Sequence, residues 1–275
     1  KEQEALKNGE WDIIVDLSCY YPEHLQNTLA NLPNSLEHYI FLSTCSVYDN
    51  TNVRALLRNE TAKVLDCNEE EYFNTDPRTY GARKAECERI LVSSGISYSI
   101  FRPALVYGKY DSTDRFYYWP YQVKNESQFL VPENGERLFS LTYVKDLASV
   151  LVASIKGEIK KDTYNVISHP KTSISRILKA SCQKLNLNPK AVEASSSFLQ
   201  DNSINEWVDL PLWLNTDIFT FSNEKLKSQL PFELETFQNS INESLNYFEA
   251  LNWPKPISGI SRERRLELEI AIGEL

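Results

Sequence analysis

With 275 residues, 42% hydrophobic and 24% charged, the chain is long enough to bury a substantial core and has an ordinary globular composition. A net charge of -9 argues against a nucleic-acid backbone as the main partner. No apolar run approaches the roughly 20 residues of a membrane span, and no secretory signal is visible.

Five cysteines (Cys19, Cys45, Cys67, Cys87 and Cys182) are odd in number and lack metal-ligand spacing, which points to reduced thiols in a cytoplasmic protein. His24, His38 and His169 form no cluster, so no metal is expected. The complete absence of Met carries the expectation that Met positions are missing from the sequence as written, so spacings are read with a tolerance of one residue.

In chain order, Trp11 to Asp16 reads as a strand running into Leu17-Ser18-Cys19, and Pro22 to Leu32 as a helix closed by Pro33-Asn34. Glu37 to Ser43 is a short buried strand, rich in aromatic and β-branched residues, that delivers Ser43 and Thr44 at its carboxyl end. Ligands sit at such ends in open parallel sheets. Asn50 to Thr75 is polar and long for a plain connection, as expected of a flap near a site. Asp76-Pro77 opens a helix that carries Tyr80 and Lys84 and stops at Gly95, and a third strand, Ile96 to Phe101, follows. Successive strand-helix units of this kind predict a parallel sheet.

Further on, Tyr107 to Asn134 holds the aromatic set Phe116, Tyr117, Tyr118, Trp119 and Tyr121, which suits either a stacking surface or the core of a second lobe. A strand near Leu138 to Thr142, a helix from Val144 to Ile155, a strand from Thr163 to Ile167 and a helix capped by Thr172 or Ser173 come next. Beyond Asn186 the pattern weakens. Phe232 to Leu251 reads as a helix with one apolar stripe, and Ser261 to Leu275 as a charged helix that could pack on the body or on a second subunit, leaving a homodimer open.

Tyr80 and Lys84 share one helix face at i and i+4, so the ammonium is expected beside the phenol, lowering its pKa until it can shuttle a proton. The bare pair is weak evidence; its position after the hydroxyl cluster Ser43-Thr44-Cys45-Ser46-Val47-Tyr48 gives it weight.

That cluster, the Tyr80-to-Lys84 spacing, Arg102-Pro103 with Val106-Tyr107-Gly108, Tyr143-Val144-Lys145-Asp146-Leu147-Ala148 and Tyr164-Asn165-Val166 follow one another as in the extended short-chain dehydrogenase/reductase family of nucleotide-sugar epimerases, dehydratases and reductases. The chain resembles that family over roughly its first two thirds. Tyr143 stands where His is usual. The family's Gly-rich phosphate turn has no counterpart, because Lys1 to Glu10 looks like the helix before its fourth strand and the amino-terminal part is expected to be missing.

The resemblance implies an α/β fold: a Rossmann-type parallel sheet with helices on both faces over 1–167, with 108–136 inserted toward the substrate side, and a smaller, mainly helical lobe over 168–275 capping the substrate. It implies NAD or NADP as cofactor and a nucleotide-sugar as substrate, with no nucleic acid and no membrane. By resemblance Tyr80 is the acid/base, Lys84 holds the nicotinamide ribose, and Thr44 hydrogen-bonds the reacting oxygen. Leu17, Ser18, Ser43, Pro103, Ala104 and Leu105 join Tyr80 and Lys84 around the cofactor. Cys45, Ser46, Arg115 and Arg137 are the substrate candidates, although Arg137 is out of the family's register relative to Asp146. Asp146 is expected to orient its helix and not to act in catalysis.

Cys45 and Ser46 stand where sugar dehydratases carry an Asp-Glu pair, so dehydration is disfavoured and 4-epimerisation or keto reduction remains. The Asp16-Leu17-Ser18-Cys19-Tyr20 segment, the Arg102-Pro103 strand end and the Tyr143 exchange also resemble bacterial proteins grouped with isoflavone-reductase-like and chloroplast RNA-binding relatives. The alternatives are therefore an NADP-dependent reductase of a small carbonyl or aromatic compound, and a non-catalytic binding member of the same fold.

Overall fold

The computed structural model of the protein describes residues 2–51, 55–214, 216 and 218–273. Its first elements are α1 (Glu2–Asn8), β1 (Ile13–Asp16), α2 (Pro22–Ala30), β2 (His38–Leu42), α3 (Glu69–Phe73), α4 (Tyr80–Ser93), β3 (Tyr98–Pro103) and β4 (Leu105–Tyr107). Then come α5 (Tyr118–Asn125), β5 (Gln128–Pro132), β6 (Leu138–Tyr143), α6 (Val144–Ile155), β7 (Thr163–Val166), β8 (His169–Thr172) and α7 (Ile174–Leu185). The last are β9 (Lys190–Ala194), α8 (Ser196–Asp201), β10 (Ile218–Phe219), α9 (Glu224–Lys227), α10 (Phe237–Ala250) and α11 (Arg262–Ile272). Residues 52–54 of the expected flap, together with Lys1 and the last two residues of the expected tail helix, lie outside the described residues.

Two compact units emerge, the first made of Lys1–Leu105, Lys145–Ile167 and Phe221–Leu234, the second of Val106–Val144, Ser168–Thr220 and Glu235–Leu275. In the first, β1, β2, β3 and β7 form one parallel sheet in that order. Ile14 lies opposite Tyr39, Tyr39 opposite Tyr98, and Phe101 opposite Tyr164. Side chains of a strand alternate between faces, and both faces are apolar. Tyr39, Phe41 and Ile100 pack with Leu25 of α2 and with Cys87 and Leu91 of α4. Ile40, Phe101 and Val166 pack on the other side with Leu147, Val150 and Ala153 of α6 and Leu226 of α9. Burial on both faces is why these strands read as continuous apolar runs, and parallel pairing follows because a helix must cross over between them. The α/β sheet with helices on both faces is the one expected.

The second unit centres on β6, which pairs in parallel with β10 and antiparallel with β8, with β4 on its other side. A separate parallel pair joins β5 to β9. Phe116, Tyr117, Tyr118 and Trp119 are buried in its core, so these four build a hydrophobic centre, while Tyr121 is half-buried. This division differs from the stretches 1–167 and 168–275 expected from sequence. The segment 108–136 is core of the second unit, that unit carries strands as well as helices, and 221–234 belongs with the first because Leu226 seals a sheet face. Short apolar runs such as Gln128–Pro132 show no helical or strand period, which is why β5 and β9 escaped the sequence reading.

Candidate functional site

The carboxyl ends of β1, β2 and β3 form one edge of the parallel sheet. At the end of β1, Asp16 folds the chain back: its Oδ1 accepts the amides of Ser18 (3.1 Å) and Cys19 (2.9 Å), and its Oδ2 accepts the Tyr39 hydroxyl (2.6 Å). The turn exposes Leu17 and Tyr20. At the end of β2, the Ser43 amide donates to Phe101 O (2.7 Å), while its buried hydroxyl has no hydrogen-bond partner among the described residues. Thr44 then caps a single 3-10 turn, Cys45–Val47; its Oγ1 accepts the Ser46 amide (3.1 Å) and donates to Ser46 Oγ (3.2 Å).

Helix α4 brings the remaining groups. Asp76 caps the turn before it by accepting the Arg78 amide (2.8 Å), a sequence-legible start signal. Gly81, the second residue of α4, lies against the Thr44 turn so closely that a Cβ there would stand 2.2 Å from Ser46 O. Glycine in a helix costs about 1 kcal/mol relative to alanine; here it allows Tyr80 to approach Thr44.

Tyr80 is half-buried, its ring 5.9 Å from that of Tyr20. Burial pushes its pKa up to about 12, against a lowering hydrogen bond with Thr44 and the charge of Arg83. Lys84 is buried, and its ammonium donates to Leu42 O (2.6 Å) and Cys19 O (2.8 Å) while lying 4.0 Å above the Phe41 ring. Desolvation lowers its pKa, opposed by Cys87, Cys19 and Asp16. The expected tuning of Tyr80 by Lys84 is therefore corrected. The two share a helix face, but the Lys84 stem carries its charge down to the strand-end carbonyls, and burial dominates the phenol.

Ser43, Thr44, Tyr80 and Lys84 thus converge, with Leu17 and Ser18 on the adjoining turn. Pro103, Ala104 and Leu105 lie where β3 leaves the same sheet. Ser46 stays half-buried beside Thr44. Cys45 does not fit its expected place. It is fully buried, its thiol donates to Arg102 O (3.2 Å), and burial raises its pKa well above the ordinary value, so it faces the core and not a substrate.

In the second unit, Arg137 is committed within the protein: it pairs with Glu133, lies 3.8 Å from Glu206, and bonds Leu214 O and Ser196 Oγ. That set of partners corrects its assignment to substrate. Arg115 stacks 4.4 Å over Trp207, and desolvation lowers its pKa. Sequence reasoning missed Tyr20, although an aromatic residue directly after a strand-end turn was a visible signal. It also missed Glu88, which follows Tyr80 and Lys84 at the same four-residue interval and binds Arg102. Among the described residues no group of three or more His, Cys, Asp or Glu could hold a metal ion, and no helix is long and apolar enough to cross a membrane.

Residues 24–166, a little over half of the chain, match the model of the NAD dependent epimerase/dehydratase family. A chloroplast stem-loop binding protein of 41 kDa from Arabidopsis thaliana is 25% identical over 183 residues, covering 66% of this chain and 44% of that protein. The chain spans less than half the length of the curated relatives it matches. Among solved structures, the UDP-glucuronic acid 4-epimerase of Bacillus cereus, in complex with a fluorinated UDP-sugar and NAD, is 15% identical with a TM-score of 0.67, covering 90% of this chain and 78% of that one. RMD from Pseudomonas aeruginosa, complexed with NADPH, is 14% identical with a TM-score of 0.68, covering 90% and 86%. At these identities the structures speak for the fold; that they hold NAD or NADPH agrees with the cofactor expected from sequence. On the family match, the chain belongs to the NAD dependent epimerase/dehydratase family.

Proposed function

We propose that the chain is an NAD(P)-dependent epimerase or reductase of a nucleotide-sugar, acting at one carbinol or keto carbon. The observation that carries this reading is the pairing of the Thr44 and Tyr80 hydroxyls at the carboxyl edge of a parallel sheet, where the Lys84 ammonium is anchored on the neighbouring carbonyls of Leu42 and Cys19. Lys84, Tyr80 and the partnerless Ser43 hydroxyl suit a ligand rich in hydroxyls, such as a ribose. When bound, a nicotinamide dinucleotide supplies or accepts the hydride. With its pKa near 12, Tyr80 is protonated at neutral pH, so the phenol is poised to give its proton to a keto oxygen as the carbonyl becomes an alcohol. In the reverse direction the same oxygen takes the hydroxyl proton. Thr44 would steady the reacting oxygen, and Lys84, anchored to two carbonyls, would turn its third donor toward the ribose.

No carboxylate stands at Cys45 or Ser46, so elimination of water lacks its acid and base there. Arg115, whose guanidinium retains donors beyond its stacking contact, is proposed to pair with the diphosphate. A cytoplasmic setting accords with the five free thiols. The likeness to the stem-loop binding protein favours a second reading, a binding member of the fold that has lost turnover.

Calorimetry with NAD and NADP, followed by a screen of UDP-sugars for epimer or reduced product, separates these two from each other and from the small-carbonyl reductase. Cofactor binding with product formation supports the enzyme. Cofactor binding with no turnover of any sugar moves the assignment to the small-carbonyl reductase, tested next on keto compounds. Absence of both, with retention of a stem-loop nucleic acid, moves it to the binder.

A further inference from the structure

The face of α4 that carries Tyr80 and Lys84 carries Glu88 one turn further on, and Glu88 is buried in an ion pair. Arg102 of β3 grips its carboxylate through Nε (2.9 Å to Oε1) and Nη2 (2.5 Å to Oε2), with both residues less than a tenth exposed. Burial works against the Arg102 charge, yet the Glu88 carboxylate outweighs it and raises its pKa. The third arm of the guanidinium, Nη1, donates to the Tyr48 hydroxyl (2.9 Å), which in turn donates to Asn165 Oδ1 of β7 (2.7 Å).

Tyr48 terminates the 3-10 turn that Thr44 begins: its amide closes the turn on Cys45 O (3.2 Å), and the Cys45 thiol bonds Arg102 O (3.2 Å). On its other side the turn abuts Gly81. The Tyr48 ring is fixed as well, stacked 5.1 Å from Phe221 with the Arg102 guanidinium 4.9 Å from its centroid.

A buried ion pair is weak evidence for stability, since taking two charges out of water offsets much of their attraction. Its geometric effect is stronger. A bidentate fork fixes the orientation of both partners, and here it joins the helix bearing the phenol to the turn bearing the second hydroxyl. We infer that Arg102, held by Glu88, is a positioning residue that acts through Tyr48 to aim Thr44 at Tyr80. None of the three touches the reacting atoms. The inference rests on the proposed reaction, because Thr44 and Tyr80 matter together only if they share one oxygen of the substrate.

The test is a kinetic double-mutant cycle on the full chain using Tyr48→Phe, which removes one oxygen and keeps the ring, with Thr44→Ala. Tyr48→Phe is expected to lower kcat roughly ten- to a hundredfold, the scale of a small misplacement, with the cofactor Kd changed less than about twofold. If Tyr48 acts through Thr44, the double variant loses no more than Thr44→Ala alone. Multiplicative losses, as from two independent or merely structural effects, overturn the inference. Arg102→Lys keeps the charge but lacks the planar fork, and its kcat is expected to fall with that of Tyr48→Phe.

Should the wild-type chain bind cofactor and turn nothing over, the reaction assignment fails while the inference is still judged by amide exchange. Tyr48→Phe is then expected to speed exchange of the Ser46 and Val47 amides, which bond Thr44, by at least about tenfold relative to amides within β2. Unchanged exchange there overturns it.

Discussion

Each unit holds a small cluster of buried hydroxyl and nitrogen groups, and the two clusters are built to opposite ends. In the second unit the Tyr107 hydroxyl donates to Ser240 Oγ (2.6 Å) and meets His169 Nε2 at 2.9 Å, while His169 Nε2 lies 3.1 Å from Ser240 Oγ. The three groups share these contacts while buried, and Ser240 Oγ donates its own proton to Phe237 O (2.9 Å). In the first unit, Ser43 Oγ has no partner among the described residues, Tyr80 interacts with Thr44, and they stand where β2 ends and α4 begins. A phenol, an imidazole and an alcohol look like a catalytic set on paper. What separates structure from chemistry is whether donors and acceptors are left over for something else.

The largest effect that could break this contrast comes from removing one oxygen at the sheet edge. Tyr80→Phe is expected to lower turnover by roughly a hundred- to ten-thousandfold, the usual contribution of a positioned acid/base, with thermal unfolding nearly unchanged because the hydroxyl makes no bond that holds the core. Steady-state kinetics beside a melting curve decide it; activity within threefold of wild type would move Tyr80 into the structural class with Tyr107.

Gly81→Ala should act next most strongly. Alanine favours the helix by about 1 kcal/mol, but its Cβ would meet Ser46 O at 2.2 Å, and backbone cannot yield cheaply. The helix and the Thr44 turn must part, so kcat is expected to fall about tenfold or more even if the helix itself is sturdier. A variant with undiminished kcat would show that Tyr80 and Thr44 do not need this spacing.

How much of the contrast could be read from residues alone follows the same line. Strands β1 to β3, the start of α4 and the placing of Ser43, Thr44, Tyr80 and Lys84 were legible, because apolar runs, Asp76-Pro77 and Gly95 are local signals. The direction of the Tyr80 pKa shift was not: an i, i+4 interval fixes a shared face, but where a lysine stem ends depends on carbonyls from β2 and the Asp16 turn. Cys45 and Arg137 failed for a related reason. Both stand where the resemblance puts a substrate, and only the fold reveals that Arg102 O and Glu133 have already taken their donors. The second unit was least legible, since β5, β9 and β10 are short, pair with distant segments and carry no period of their own.

The sealed cluster makes its own forecast in acid. Burial, followed by the charge of Arg176, lowers the His169 pKa to about 4 from the ordinary 6.5. The folded chain therefore keeps His169 neutral while the unfolded chain takes up a proton below pH 6.5, so the stability contributed is whole above that pH and drains away as pH falls toward 4. The loss is on the order of 3 kcal/mol, seen as a falling denaturant midpoint between those limits. His169→Gln, which keeps a polar group without the titration, is expected to flatten that slope. An unaltered slope would mean that other groups set the acid sensitivity and that the cluster is less closed than its distances suggest.

The smallest effects separate the two arginines of the second unit. Arg137 holds Glu133, Ser196 and Leu214 O, so Arg137→Ala leaves a half-buried carboxylate without its guanidinium and should cost about 1 to 2 kcal/mol in stability. The KM for the proposed nucleotide-sugar should stay within a factor of two. Arg115→Ala is the reverse case. Its guanidinium stacks on Trp207 at 4.4 Å, a contact between partly exposed groups worth about 0.5 to 1 kcal/mol, so melting should shift by a few degrees at most while KM rises about tenfold, as loss of one charged hydrogen bond to a diphosphate requires. Paired melting and KM measurements on both variants give a crossed pattern if leftover donors mark function. If Arg115→Ala lowers stability and leaves KM alone, the guanidinium belongs to the packing of the Trp207 loop, and the diphosphate must be sought elsewhere.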